Sequence, residues 1–594
     1  MKKILTSFLF FFLALPAAGL NDSTSIYLKQ HIGYLASDAL EGRKAGSKGA
    51  ELAAEYIAQQ FQSLGLVPLG DHGSYFQHFS FISGVKLGEK NSFSRSDGKG
   101  TTSYQLNRDF RPLAFSADGQ VSGPVIFAGY GISSTNPQYD DYANVDVKNK
   151  IVLVMRYSPG NDNPHSEFGK YLPLRYKTLT AREKGAKALL VVTGSADDST
   201  DELIALRYDN SFSNSGLPVF SVSRAVADSW LRAAHTTVDS LQTQINTLKK
   251  PASIDIPNVV LSLSSDVVEI KDSSSNVAGL LKLDGTQSDE YLVIGAHYDH
   301  LGWGGEGSGS LAPDKHEIHN GADDNASGTG GVIELARLLS HQKASLKRNI
   351  LLVSFSGEEE GLLGSEYYVK HPLLPLNNAV AMINLDMVGR LKDRTLTVQG
   401  TGTSSRWDSL VGAYNADSTF ILKSVKDGYG PSDHSSFYGA NIPVLFFFTG
   451  IHEDYHKPSD HADKINYDGE ALVLDYIRRI AIDIDDHTPR PDYLKTSSSS
   501  NSESRGFRVY VGTVPDYSDQ SDGMKITAVR DNSPAAKAGL LGGDIIVKFG
   551  KFEIKNVYDY TYALQEYKPG DEVEVVVQRG NEKIVKNVKL EKRN

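Results

Sequence analysis

Four short, almost unbroken apolar runs, EYLVIGAH, RNILLVSFSG, NAVAMINLDM and IPVLFFFTG, lie between residues 290 and 450 of a 594-residue chain. A strand covered on one face alternates apolar and polar residues. These runs do not alternate, so they predict strands buried on both faces, as in a parallel sheet flanked by helices. GTGGVIELARLLSH and GEALVLDYIRRIAIDI carry apolar residues at helical spacing and supply such helices. From about Ile254 to Asp486 the predicted fold is therefore α/β, an α/β/α sandwich with a mostly parallel sheet.

The residues at the end of each run are chemically pointed. In open α/β sheets the ligand crevice lies beyond the carboxyl ends of the strands. LVIGAHYDH places His297 at such an end, with Asp299 two residues on. NILLVSFSGEEE presents Glu358, Glu359 and Glu360, and AVAMINLDM runs into Asp386. Two loops add to the set: HNGADDNASGTGG holds Asp323 and Asp324, and HEDYHKPSDH holds His456. Singly these features are ordinary. A Glu triplet is usually a solvated face, DDNASG is a sound helix N-cap, and a strand-end histidine often serves only a hydrogen bond. Asp386 is harder to explain away, because an acid beside AVAMINL is partly buried and needs a positive partner. Gathered at one sheet edge, the residues predict a metal centre. Ten of the 16 histidines lie between His297 and His461, consistent with that.

The chain has no cysteine, so a metal has only imidazole and carboxylate to bind. Such donors suit a catalytic zinc with an open position more than a closed structural site. Two metals need a bridging carboxylate, and a neighbouring carboxylate that is not a ligand can take a proton from water. The balance of 61 basic and 72 acidic residues, a net charge of −11, argues against nucleic acid as a partner.

Residues 1–19 read as a cleaved signal peptide. Lys2 and Lys3 precede an apolar run from Ile4 to Leu15, followed by Pro16-Ala17-Ala18-Gly19. This predicts export to the periplasm or the exterior, with no transmembrane helix left once the signal is removed. Ser23 to Leu66 reads as helical, and residues 20–114 are expected as the N-terminal part of the domain that holds the metal centre. Short strands such as KIVLVMRYSPG and AKALLVVTGS mark residues 115–253 as a β-rich insertion. The catalytic domain is expected over 254–490, a Ser-rich linker over 491–505, and a small β-rich domain over 506–594.

The segments AHYDHLG, GADDNASG, SGEEEGLLGS, NLDMVGR and DYHKPSDHADKIN, in that order, resemble the M28 family of zinc aminopeptidases. The resemblance implies the zinc exopeptidase fold and two zinc ions per chain. It implies Asp324 as the bridge, His297 and Asp386 on one zinc, and Glu359 and His456 on the other. Glu358 would be the general base, and Asp299 would orient His297. DGYGPSDHSSF resembles the family segment whose tyrosine stabilises the oxyanion, which points to Tyr429. Some relatives flank that tyrosine with a disulfide, so this chain must hold the loop by other means. Residues 123–247 are similar to the protease-associated (PA) domain often inserted in such enzymes. ITAVRDNSPAAKAGLLGGDIIVKFG resembles a PDZ domain, with GFRVYVG in place of the usual carboxylate loop. The expected partners are peptide substrates and an extended peptide or protein ligand of the tail. The expected activity is removal of N-terminal residues from peptides. The rivals are a carboxypeptidase or dipeptidase on the same scaffold, with Arg390 reading a terminal carboxylate, and a non-catalytic peptide-binding receptor.

Overall fold

The structure is a computed structural model. It describes residues 19–96, 100–135, 137–163, 166–208, 215–284, 289–305, 307–496, 509–515, 523–529 and 533–592. Residues 1–18 of the expected signal, 497–505 of the expected linker, and the Gly506-Phe507-Arg508 start of the tail lie outside the described residues. Two compact units divide the chain, one of Met1–Phe79 with Ser274–Leu494, the other of Ser80–Ser273 with Lys495–Asn594.

In the first unit the apolar runs form the centre of a nine-stranded sheet. The strand Tyr291–His297 lies parallel between Asn349–Phe355 and Ala379–Leu385, and Ala379–Leu385 pairs in parallel with Val444–Phe448. Antiparallel neighbours come only further out, at Val267–Leu281 and Thr395–Gln399. Successive side chains of the central strands enter opposite apolar clusters. Leu292, Ile294 and Ala296 join one, and Tyr291 and Val293 the other. Burial of each such Leu or Ile contributes roughly 2 kcal/mol. The helices Gly19–Leu35, Lys48–Ser63, Gly328–Ser340 and Tyr467–Asp486 cover the first face, and Leu363–Lys370 with His434–Gly439 cover the second. This is the predicted three-layer sandwich.

The helical reading of Ser23 to Leu66 needs one correction. The helices stop at Leu35 and resume at Lys48. Between them Glu41, Gly42 and Arg43 adopt positive φ values of 47°, 69° and 49°. A Cβ on Gly42 would stand 2.5 Å from the main-chain oxygen of Gly302, so the turn presses backbone on backbone where only glycine fits.

The second unit holds an eight-stranded sheet, with a separate six-stranded sheet in the tail. Ser92–Ser96 pairs with Ile254–Ser265, and Phe110–Pro112 pairs with Val219–Val222. The strands at 92–96 and 110–112 therefore pair within the β-rich module, although their place in the sequence predicts the peptidase part, while residues 80–87 continue the strand Phe76–Leu87 of the nine-stranded sheet. Their partners lie more than a hundred residues downstream, and it is that pairing which fixes their place. In the tail, Val509, Ile526, Ile546, Val575 and Val588 gather in a separate core. Among the described residues no helix is long and apolar enough to cross a membrane.

Candidate metal centre

Three strand ends arrive in register, with His297 opposite Phe355 and Gly295 opposite Asn384. His297 is 1% exposed, and its Nδ1 lies 3.2 Å from the main-chain oxygen of Asp299. That nitrogen carries a hydrogen, so in the neutral ring the lone pair sits on Nε2. Nε2 faces Asp386 Oδ1 at 3.4 Å and Asp324 Oδ1 at 3.5 Å. On the other side, His456 Nε2 lies 3.2 Å from both Asp324 Oδ2 and Glu359 Oε2. Its Nδ1 is tied to the main-chain oxygen of Gly309 at 3.0 Å. The two oxygens of Asp324 thus face two different histidines.

His300 is a third imidazole at this place, missed as a site residue in the sequence. It is 1% exposed, and its Nδ1 is 2.7 Å from Glu359 Oε1 and 4.0 Å from Asp324 Oδ2. Among the described residues, His297, Asp324 and Asp386 form one group able to hold a cation, and His300, Asp324 and Glu359 another. The donor set fits zinc, and the buried Nε2 of His297 and Oδ1 of Asp386 have no hydrogen-bond partner. A cation satisfies both atoms at once.

The charges respond to this crowding. Burial disfavours a charged His297, yet Glu358, Asp386 and Asp324 pull its pKa well above the ordinary value. Burial likewise opposes charge on His456, and its bonds to Asp324 and Glu359 raise it to about 11. Burial pushes Glu358 well up, with His297 opposing and Asp386, Glu359 and Asp433 adding to it. Glu359 goes the other way. Against its burial, the bonds from His300 and His456 hold its pKa well below the carboxylate range.

Glu358 Oε2 lies 3.9 Å from His297 Nε2, and its main-chain N–H donates to Asp299 Oδ1 at 3.2 Å. Asp299 is fully buried, and burial raises its pKa to about 7. The atom of Asp299 that meets His297 Nδ1 is its carbonyl oxygen, while its carboxylate stands off at 3.8 Å. Tyr429 packs its ring edge-on against Tyr438, with centroids 4.7 Å apart. In place of a disulfide, Gln399 Nε2 donates to the Tyr429 carbonyl at 2.8 Å, and Gly430 N–H donates to Ser435 Oγ at 2.7 Å.

Tyr455, which gave no sequence signal, stacks on His456 with centroids 3.9 Å apart. Burial, then the charges of Asp324, Glu359, Asp386 and Glu358, raise its pKa and keep its hydroxyl protonated. The peptide between Asp324 and Asn325 is cis. Arg390 is already engaged, with Nη2 2.9 Å from Asp454 Oδ2 and Nη1 3.9 Å from Asp460 Oδ1.

The sequence pattern of peptidase family M28 matches residues 276–481, the PA domain pattern matches 121–230, and the PDZ domain pattern matches 513–590. Aminopeptidase YwaD of Bacillus subtilis is 26% identical over 446 residues, which cover 72% of this chain and 78% of that protein. A probable leucine aminopeptidase of Arthroderma otae is 31% identical over 208 residues, 33% of this chain and 53% of that one. An aminopeptidase structure from Aneurinibacillus sp. strain AM-1 aligns over 80% of this chain and 96% of its own, at 22% identity and a TM-score of 0.48. Every residue of the two cation groups falls inside the 276–481 match. Those residues are accordingly a peptidase family M28 domain, in a chain that also carries a PA domain and a PDZ domain.

Proposed function

We propose that this chain is an exported aminopeptidase that removes amino-terminal residues from peptides with two zinc ions. His297 and Asp386 would hold one ion and Glu359 and His456 the other, with Asp324 shared between the two. The observation that carries the reading is the division of Asp324, whose Oδ1 faces His297 at 3.5 Å while Oδ2 faces His456 at 3.2 Å. His456 is preferred to His300 as a ligand because its Nδ1 is tied to a carbonyl, so that the neutral ring would present its Nε2 lone pair to a metal. His300 uses its Nδ1 on Glu359 and orients that carboxylate.

Held there, zinc would supply Lewis-acid chemistry for a carbonyl and a water. Glu358 takes the water's proton on its carboxylate, where burial among other acids makes a proton welcome, and returns it to the leaving amine. Asp299 holds the Glu358 main chain through its carboxylate and the His297 ring through its carbonyl. Tyr429 donates to the carbonyl oxygen as negative charge builds there. The surplus of carboxylates around the site favours a substrate that presents an ammonium group. A carboxypeptidase would need a free cation for the terminal carboxylate, and Arg390 is committed to Asp454. The first 19 residues direct export, and the PDZ domain takes an extended peptide along a sheet edge.

The test is a comparison of dipeptide amides with a free amine against N-acetyl dipeptides with a free carboxylate, using zinc-loaded protein. Cleavage of the amides alone supports the reading, and cleavage of the acetylated peptides alone overturns it. Glu358→Ala is expected to lose about a thousandfold in kcat while still binding both zinc ions.

A further inference from the structure

Arg43 lies outside the 276–481 match, yet it is fully buried beneath the candidate metal centre. A guanidinium has five N–H donors in a rigid fork and usually turns them on a carboxylate. Arg43 spends them on main-chain carbonyls. Nε donates to Tyr298 at 2.8 Å, Nη1 to Asn320 at 2.6 Å and to Leu35, and Nη2 to Gly321 at 3.0 Å. Tyr298 follows His297, while Asn320 and Gly321 lead into Asp324. The main chain adds to the clamp, for His300 N–H donates to the Arg43 carbonyl at 3.2 Å and Gly302 N–H to that of Gly42 at 3.0 Å. The left-handed turn at Gly42 and Arg43 brings the guanidinium to this place.

The charge is placed as tellingly as the fork. Burial lowers the Arg43 pKa to about 10, and the fields of Asp299, Asp324, Asp460 and Glu359 oppose that fall, so it stays cationic at neutral pH. It faces the same acids that crowd the metal centre without forming an ion pair with any of them at contact distance. A buried cation joined to two loops resists their separation by several directed bonds at once.

We infer that Arg43 is a positioning residue that fixes the His297 loop against the Asp324 loop, so that the two-metal spacing exists before zinc arrives. The inference rests on the reading of His297 and Asp324 as zinc ligands. It adds that the N-terminal segment, remote in sequence from every ligand, is part of the machinery that holds them.

Arg43→Lys keeps the charge and loses the fork, and Arg43→Met loses both. Stepwise zinc titration of the full chain should show both ions bound at least about tenfold more weakly by Arg43→Lys, and more weakly still by Arg43→Met. The KM for a dipeptide amide should change less than kcat. Hydrogen exchange of the metal-free wild-type protein supplies a second readout that does not depend on either variant folding. The amides of His300, Gly302 and His319 should be protected to the same degree as those of the helix Gly328–Ser340. Wild-type zinc affinity in Arg43→Lys, or fast exchange at those amides in the metal-free protein, overturns the role. Absence of zinc binding by the wild-type chain would instead sink the metallopeptidase reading itself, so the two failures are distinguishable.

Discussion

Asp460 Oδ2 accepts the main-chain N–H of Asp324 at 3.1 Å, and that of Asp323 at 2.8 Å. One fully buried carboxylate oxygen thus fixes the backbone on which Asp324, shared by the two candidate cation groups, stands. Asp460→Ala leaves two buried N–H groups without an acceptor, which costs about 2 kcal/mol. Zinc affinity should fall by about ten- to a hundredfold, read by competition with a chelator. Asp460→Asn retains an oxygen for the same two donors and should recover most of both losses. Equal affinities for the Ala variant and the wild type would show that the backbone holds its shape unaided.

His300 offers a narrower test. Its bond to Glu359 Oε1 touches only one of the two cation groups. His300→Phe should weaken the ion next to Glu359 by about tenfold and leave the ion next to Asp386 unchanged. Calorimetric titration with zinc resolves the two steps. A uniform loss at both would mean that the ring supports the whole centre, and not Glu359 alone.

His31 predicts a pH dependence of stability that has nothing to do with metal. It is 4% exposed, its Nδ1 lies 2.8 Å from the Tyr56 hydroxyl, and burial, with the Arg337 charge adding, lowers its pKa from 6.5 to about 4. Tyr34 and Tyr56 stack beside it. Between about pH 4 and 6.5 the unfolded chain binds a proton that the folded chain refuses. Stability is therefore full above pH 6.5 and falls as the pH drops through this window. The loss approaches about 3 kcal/mol once both states are protonated. His31→Gln should flatten that slope in urea titrations at pH 7, 5.5 and 4.5, and an unchanged slope would place its origin elsewhere.

The sequence displays some of this and conceals the rest for physical reasons. His297, Glu359 and Asp386 are legible because a buried strand is an apolar run, and the polar residue that ends it marks the sheet edge. Asp324 and His456 lie in loops, so the sequence offers them as candidates, but their roles become readable only beside the family pattern. Arg43 and Asp460 leave no local trace, since each meets its partners across more than a hundred residues of chain. The sequence singles out Asp299 but not which of its atoms acts on His297, because that depends on the turn after the strand. The sheet that residues 92–96 and 110–112 join is hidden for the same reason. Their strands look alike in either sheet, and only long-range pairing decides which one they join.

The second unit contains a pin between its PA and PDZ domains. Arg182, on the helix Leu174–Glu183, donates to Ser215 O at 2.7 Å on its own side. From the same guanidinium it reaches Asp559 Oδ2 at 2.8 Å and Glu553 O at 2.9 Å in the tail. Tyr176 and Tyr562 meet edge to face beside it, with centroids 5.9 Å apart. Asp559 is 3% exposed, and its burial, opposed by Arg182, raises its pKa. Removing Arg182 would leave that acid buried and unpaired, which costs about 3 kcal/mol. Arg182→Met should therefore release the PDZ domain as an independently unfolding and more readily proteolysed module. Asp559→Asn should do so less, and the double variant should be less destabilised than the two single losses predict in sum. A single cooperative transition unchanged in Arg182→Met would show that the ion pair contributes nothing to the docking of the tail, and that the packing of Tyr562 holds it instead.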